Sequence, residues 1–236
     1  MSGVNPLYDD PALAAAYARV TAENAANAAY ERPAVRALLG DVRGLDVLDA
    51  GCAAGEHSAW LAEHGARVVA VDASEAMVRL ARERLGERAR VVHADLGRPL
   101  PFATASFDVV LSSLTLHYLE DWTAPLREFA RVLRRHGRLV FSTHHPFMTA
   151  DSVDDYHAVR LVEEAWRGFG EDPVRVRFFH RPLQRIVTDV LAAGFVLRAV
   201  VEPQPAAEAE ERDPRLAQRF RTEPGFLVVE AESAAE

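Results

Sequence analysis

Three carboxylates stand where chemistry is possible. Asp49 closes the apolar run Val47-Leu48 and precedes a loop of small residues, Gly51-Cys52-Ala53-Ala54-Gly55. Asp72 closes Arg67-Val68-Val69-Ala70-Val71, and Asp95 closes Val91-Val92-His93-Ala94. Each run reads as a buried strand, so an acid follows each of three successive strands. Such acids can receive the amine and hydroxyl donors of a nucleoside cofactor. Two kinds of nucleoside compete for the loop. A dinucleotide site wants Gly-x-Gly-x-x-Gly, with a helix N-terminus aimed at a pyrophosphate. The loop lacks that spacing, and Asp49 would stand beside the phosphates as a like charge.

A cationic ligand reverses that penalty. S-adenosylmethionine carries a sulfonium, an α-amino group, a ribose diol and adenine, and no phosphate. Asp49 is then expected to face the methionine amino end. Gly51 and Gly55 would let the backbone approach closely. Asp72 can accept from both ribose hydroxyls, and Asp95 from the adenine 6-amino group.

The elements that must position these acids follow the chain. Helices are expected over Pro11–Val20 and about Ala22–Leu39, the second perturbed at Pro33 and closed by Gly40. Strands are expected at Asp46–Asp49, Arg67–Val71, Arg90–His93, Phe107–Leu111 and Arg138–Thr143. Helices fall between them at Gly55–His64, Glu75–Leu85 (capped by Ser74) and about Asp121–Arg134. Short βα connections predict a parallel sheet covered on both faces. After Thr149 the rhythm breaks. Val174-Arg175-Val176-Arg177-Phe178-Phe179 alternates apolar and basic, so it predicts a half-buried strand, paired with Tyr156–Trp166 across Gly168-Phe169-Gly170. A helix at Pro182–Ala193 and strands at Phe195–Val201 and Phe226–Ala231 complete the chain. Pro203–Pro224 reads as a mobile loop with a short helix, and the tail after Glu230 as frayed. The expectation is one domain over 1–236. It divides into N-terminal helices at 1–43, a cofactor core at 44–148, a substrate-side hairpin at 149–181, and a closing helix and strand pair at 182–236.

Composition removes other readings. The chain has 236 residues, 49% of them hydrophobic, enough for a sizeable core. A formal net charge of −8 argues against nucleic acid as a partner. All 27 basic residues are arginine, so Schiff-base and P-loop lysine chemistry are absent. A single cysteine, Cys52, excludes an internal disulfide or a multi-thiolate metal site. The histidines show no helix-spaced pair with a nearby acid, and no metal is expected. Met1–Pro11 shows no signal-peptide pattern and no apolar run reaches membrane length, so a cytoplasmic protein with no membrane partner is expected, as monomer or homodimer.

The chain resembles the class I S-adenosylmethionine-dependent methyltransferases of the small-molecule, "type 11", kind. The resemblance rests on Leu48–Gly55, Val71–Ser74, Ala94–Leu96, Leu100–Phe102, Ser106–Val110, Leu116–Leu119 and Arg131–Leu139. It implies an α/β, doubly wound, Rossmann-like sheet of seven strands, mostly parallel with an antiparallel last strand. It further implies an N-terminal helical lid and an inserted β-hairpin after strand five. By position it adds Cys52, Ala53, Ala73, Met77, Leu96, Ser112 and Ser113 to the cofactor set, with core packing the rival role for Met77 and Leu96. The family commonly carries glycine where Ala53 stands, so an adjusted loop that still binds cofactor is expected. Pro-Gly-Gly is common where this chain has Arg135-His136-Gly137, in a turn away from the cofactor.

The implied reaction is in-line SN2 transfer of the sulfonium methyl to an O, N or C nucleophile of a small, partly hydrophobic molecule, such as a secondary metabolite, leaving S-adenosyl-L-homocysteine. The cofactor is already activated, so positioning and exclusion of water do most of the work, and a base is optional. His145, fixed before Pro146, and His117, after strand four, are the candidate bases. Tyr17 and Tyr30 of the first helices, with Tyr156, Trp166 and Phe179 of the hairpin, are candidates for the substrate wall, and plain packing is the rival role. Three alternatives stay open: a non-methylating enzyme such as a cyclase releasing methylthioadenosine, an NAD-type oxidoreductase, and a non-catalytic binding protein.

Overall fold

Residues 6–169 and 171–234 are described in a computed structural model. Met1–Asn5, Gly170 of the expected hairpin turn, and Ala235 and Glu236 of the tail lie outside them. Strands β1 (Asp46–Ala50), β2 (Arg67–Asp72), β3 (Ala89–His93), β4 (Phe107–Ser112) and β5 (Leu133–His144) are parallel. A separate antiparallel hairpin, β6 (Arg160–Trp166) and β7 (Val174–His180), follows. Strands β8 (Phe195–Val201) and β9 (Phe226–Ser233) then rejoin the main sheet, in the order β3-β2-β1-β4-β5-β9-β8. Strand β9 lies antiparallel to both of its neighbours. The sheet is thus the seven-stranded, mostly parallel, Rossmann-like one that the resemblance implies, hairpin included.

Helices are α1 (Pro6–Asp9), α2 (Pro11–Glu23), α3 (Arg32–Leu39), α4 (Glu56–Glu63), α5 (Glu75–Leu85) and α6 (Thr123–Val132). They continue with α7 (Pro146–Thr149), α8 (Leu183–Ala192), α9 (Ala207–Arg212) and α10 (Pro214–Phe220). Alternate strand residues feed opposite faces of the sheet. Leu48, Val110, Leu139 and Phe141 pack with Phe129 of α6 and Ile186 of α8. Val47, Val109, Leu111 and Val140 pack with Val35 and Leu39 of α3 and Leu61 of α4. Both faces are covered, which is why these strands are apolar throughout.

Four expectations need correction. The break between the first two helices is at Asn24, not Thr21: its side chain accepts from Asn27 N at 2.8 Å and caps the next helix. That helix opens as a π-turn over Asn27–Glu31, just before Pro33. Proline has no N–H to donate four residues back to Ala29 O, and Ala206 N takes that acceptor at 2.9 Å. Pro203–Pro224 is therefore an ordered cap, with Ala209 and Ala217 packed on Ala29, and Arg212 donating to Glu23 O at 2.7 Å. The helix expected through Arg134 stops at Val132, and β5 starts at Leu133, irregular around His136 with φ +61°. Strand β9 runs on past Glu230 to Ser233, because Ser233 pairs with Phe195 and Glu232 is held by Arg198 and His136.

Candidate active site at the β1–β4 switch point

The chain leaves β1 for β2 and β3 on one side, then returns to place β4 on the other, so a crevice opens at the carboxyl ends of β1 and β4. The loop after β1 is tied to β2: Gly51 N and Cys52 N both donate to Val71 O, at 2.8 and 2.9 Å. Gly51 has φ +86°, and a Cβ there would lie 2.7 Å from Thr115 Cβ and closer still to Thr115 Cγ2 and Oγ1. Only glycine satisfies both constraints. Ala53 also sits in the left-handed region, with φ +47°, and its N–H donates to Asp72 Oδ2 at 2.9 Å. An L-residue costs about 1–2 kcal/mol in that conformation, and added unfolded-state freedom offsets roughly 0.4–1 kcal/mol of it. Ala53→Gly is therefore expected to hold or raise stability, by up to about 1.6 kcal/mol. A urea unfolding curve that shows it destabilised would contradict the strain.

The three acids converge on this cleft. Asp49 is 1% exposed and accepts from Ser58 Oγ at 2.5 Å, and burial raises its pKa. Asp72 accepts from Ser74 N and Ala53 N at 2.9 Å each. Burial raises its pKa, and those two amides partly offset the rise. Asp95, at the rim, accepts from Gly97 N at 2.8 Å. Gly51, Cys52, Ala53, Ala73, Met77, Leu96, Ser113 and Tyr17 also line the cleft. Burial pushes the Cys52 thiol well up, so it lines the site as an apolar group. Gly55 and Ser112 do not line it. Gly55 precedes α4 with φ +82° against Leu85, and Ser112 is spent on Ala50 O at 2.9 Å.

Residues missed by sequence reasoning complete the cleft. Glu31, in the π-turn, is 1% exposed and accepts from Ser142 Oγ at 2.5 Å and Ser113 Oγ at 2.7 Å. Burial raises its pKa, but His57 and the two serines outweigh burial and the net direction is down. His57 stands 3.7 Å from Glu31, and both its ring nitrogens are buried without a hydrogen bond. Arg32 lines the same end and donates to Thr21 O and Ala22 O. Over the top lie Tyr8 and Tyr118, joined hydroxyl to hydroxyl at 2.5 Å. Ser74 Oγ caps α5 through Met77 N and also donates to Tyr8 O at 2.6 Å, pinning the N-terminal helices over the loop.

A second cavity, of about 610 Å³, adjoins the first and shares Tyr17, Thr21, Asn27, Leu114 and Tyr118 with it. Trp166, Phe169 and Phe178 of the hairpin region and Phe226 of β9 line it, as do His117 and His144. The other expected groups are placed elsewhere. Phe178, not Phe179, faces this cavity, because Val174, Val176 and Phe178 share one face of β7. Tyr156 is exposed and packs edge-on to His180. Tyr30 is buried between Phe220 and Phe226, with its hydroxyl accepting from Gly225 N. His145 caps α7 through Phe147 N and meets Glu202 at 2.9 Å, away from both cavities.

The first cavity fits S-adenosylmethionine by its donor set. Asp49, Asp72, Asp95 and Glu31 suit a ligand with a cation, a diol and an amine, whereas a pyrophosphate would meet Asp49 as a like charge. Among the described residues no group of three or more metal-ligating side chains is clustered, and no helix is long and apolar enough to cross a membrane.

Comparison with known proteins agrees with this geometry. A family model described as a methyltransferase domain matches residues 48–141. A malonyl-[acyl-carrier protein] O-methyltransferase of Enterobacter lignolyticus is 31% identical over 201 residues, 84% of this chain and 75% of that protein. A demethylmenaquinone methyltransferase of Clavibacter sepedonicus is 38% identical over 146 residues, 59% of this chain and 58% of that protein. The crystal structure of an S-adenosylmethionine-dependent methyltransferase from Mesorhizobium loti, 32% identical, superposes with a TM-score of 0.75 over 86% of this chain and 97% of that one. With that fold, that cleft and those relatives, the chain belongs to the S-adenosylmethionine-dependent methyltransferases.

Proposed function

We propose that this enzyme methylates an O, N or C nucleophile on a small, partly hydrophobic molecule held in the aromatic cavity. The observation that carries the reading is the shared wall: Tyr17, Thr21, Asn27, Leu114 and Tyr118 line the cofactor cleft and the second cavity alike. Bound S-adenosylmethionine supplies an electrophilic methyl on a sulfonium. Asp72 accepts from the ribose hydroxyls, Asp95 from the adenine amine, and Asp49 and Glu31 face the amino end, with Arg32 available to its carboxylate. Tyr8, Tyr17 and Tyr118 exclude water from the neck, where alignment of the nucleophile lowers the barrier.

A malonyl group, named in one relative's activity, would bring a carboxylate to the neck. Among the described residues lining the second cavity the one cation is Arg167, which is exposed, and the one acid is Glu164. That lining favours an uncharged acceptor.

Calorimetric titration with S-adenosylhomocysteine should show saturable binding. Asp72→Ala should weaken it more than tenfold, about 1.4 kcal/mol, since the change removes the diol acceptor and frees Ala53 N and Ser74 N. Absence of binding to the parent protein would overturn the reading, and methylthioadenosine among the turnover products would move it to a non-methylating reaction.

A further inference from the structure

The second cavity is lined by an unspent base and a second histidine stacked on it. His117, in the turn after β4, is 3% exposed, and neither ring nitrogen has a hydrogen-bond partner. His144, the last residue of β5, stacks on it with ring centroids 4.0 Å apart and planes 16° apart. Phe178 of the hairpin meets both rings edge-on, at 6.0 and 4.8 Å, and Tyr118 lies beside His117 at 4.3 Å. A buried polar group without a partner costs about 1–3 kcal/mol, and a neutral imidazole carries one donor and one acceptor nitrogen, so His117 on the cavity wall suits a ligand group that can both donate and accept, as a hydroxyl does.

We infer that the acceptor is an uncharged aromatic hydroxyl compound whose O–H is received by a ring nitrogen of His117, with His144 stacked behind it. The inference rests on the methyl-transfer reading and adds the substrate class. Trp166, Phe178 and Phe226 give the ring edges and faces to pack on. The charged groups around the pair do not neutralise an anion. Glu164 already accepts from Trp166 Nε1 at 2.8 Å, Arg167 is exposed, and Tyr17 and Tyr118 face the neck with hydroxyls that burial keeps protonated.

Burial lowers His144 to about 4 and His117 well below its ordinary 6.5. Both rings are therefore neutral at pH 7, and each keeps one nitrogen as an acceptor. Low basicity is no obstacle to the step. As the oxygen bonds to the methyl carbon, the C–S bond breaks with its pair passing to sulfur. The hydroxyl, by then an oxonium far more acidic than imidazolium, gives its proton to His117, which returns it to solvent.

The test uses the full chain, labelled with ¹⁵N-histidine, with and without S-adenosylhomocysteine. Three probes are titrated: 2-naphthol, 2-naphthoate and naphthalene. The ring signals of His117 and His144, assigned through His117→Phe and His144→Phe, should move with 2-naphthol. That probe should bind at least tenfold more tightly than 2-naphthoate. His117→Phe should lose at least tenfold in 2-naphthol affinity while keeping its affinity for naphthalene and for S-adenosylhomocysteine. Equal or tighter binding of the carboxylate to the parent protein, or no saturable 2-naphthol binding, overturns the inference without any variant. A protein that still binds S-adenosylhomocysteine then keeps the methyl-transfer reading, which fails only if that ligand fails.

Discussion

Gly51→Ala should abolish measurable S-adenosylhomocysteine binding and cost the fold about 2–5 kcal/mol, the sum of a left-handed L-residue and an overpacked contact. The new methyl would meet Thr115, whose Oγ1 donates to Ser113 O at 2.8 Å and so cannot swing aside freely. The backbone would have to move, and Gly51 N and Cys52 N share Val71 O, so the whole loop would move with it. Gly55→Ala makes the control. It has a similar φ of +82°, but its Cβ would meet Leu85 Cδ1 at 3.2 Å, and the position does not line the cleft. Gly55→Ala should lose stability and keep most of its affinity. Thr115→Ala in the Gly51→Ala background removes the two nearest atoms but leaves Cβ at 2.7 Å, so it should rescue only in part. Urea unfolding and calorimetry read both quantities, and a Gly51→Ala protein with parental affinity would refute the cradle.

Glu31→Ala should destabilise the protein by about 3 kcal/mol, in the range for removing one member of a buried charged network. It strands the Ser113 and Ser142 hydroxyls and removes the carboxylate that stands 3.7 Å from His57. Glu31→Gln keeps an acceptor of similar shape and should lose less. Parent and Glu31→Gln also differ in their response to acid. The folded pKa of Glu31 lies below its ordinary 4.5, so its contribution is complete above 4.5 and is lost as pH falls through the folded value. The stability gap between parent and Glu31→Gln should therefore close in acid, and unfolding curves from pH 7 downward would show it. A gap that stays constant would mean that the carboxylate charge is not what the network holds. Asp49 and Asp72 have the opposite sign: burial raises both, so ionising them at neutral pH costs the ligand-free fold stability. Donors from a bound nucleoside relieve that cost.

The cofactor half was legible because its signals are local. An apolar run, an acid and a small-residue loop lie next to one another in the chain, and Asp49, Asp72 and Asp95 followed from that pattern. The second cavity was not, because it is set by phase and by distant packing. A shift of one position separates Phe178 from Phe179 on β7, and the alternation Val174, Val176, Phe178 already held the answer. Likewise His144 and His145 point apart at the end of β5. His144 shares its strand face with Ser142 and lines the cavity, whereas His145 turns away from it as a buried helix cap. Glu31 escaped notice because nothing in an alanine-rich helix marks one acid as buried. Only Ser113 and Ser142, 82 and 111 residues later, decide that. Tyr30 went the other way, drawn from the cleft by Phe220 and Phe226 of a segment that read as a mobile loop.

The wall common to the two cavities makes them thermodynamically dependent. Tyr17, Thr21, Asn27, Leu114 and Tyr118 cannot be ordered for one occupant without being ordered for the other. Linkage then requires reciprocity: whatever factor S-adenosylhomocysteine applies to the affinity of 2-naphthol, 2-naphthol applies to that of S-adenosylhomocysteine. Immobilising two aromatic hydroxyls and a leucine held at φ +46° is done once and shared, so the factor should exceed one. The enzyme would then engage its two ligands cooperatively through side chains alone, with no movement of the sheet.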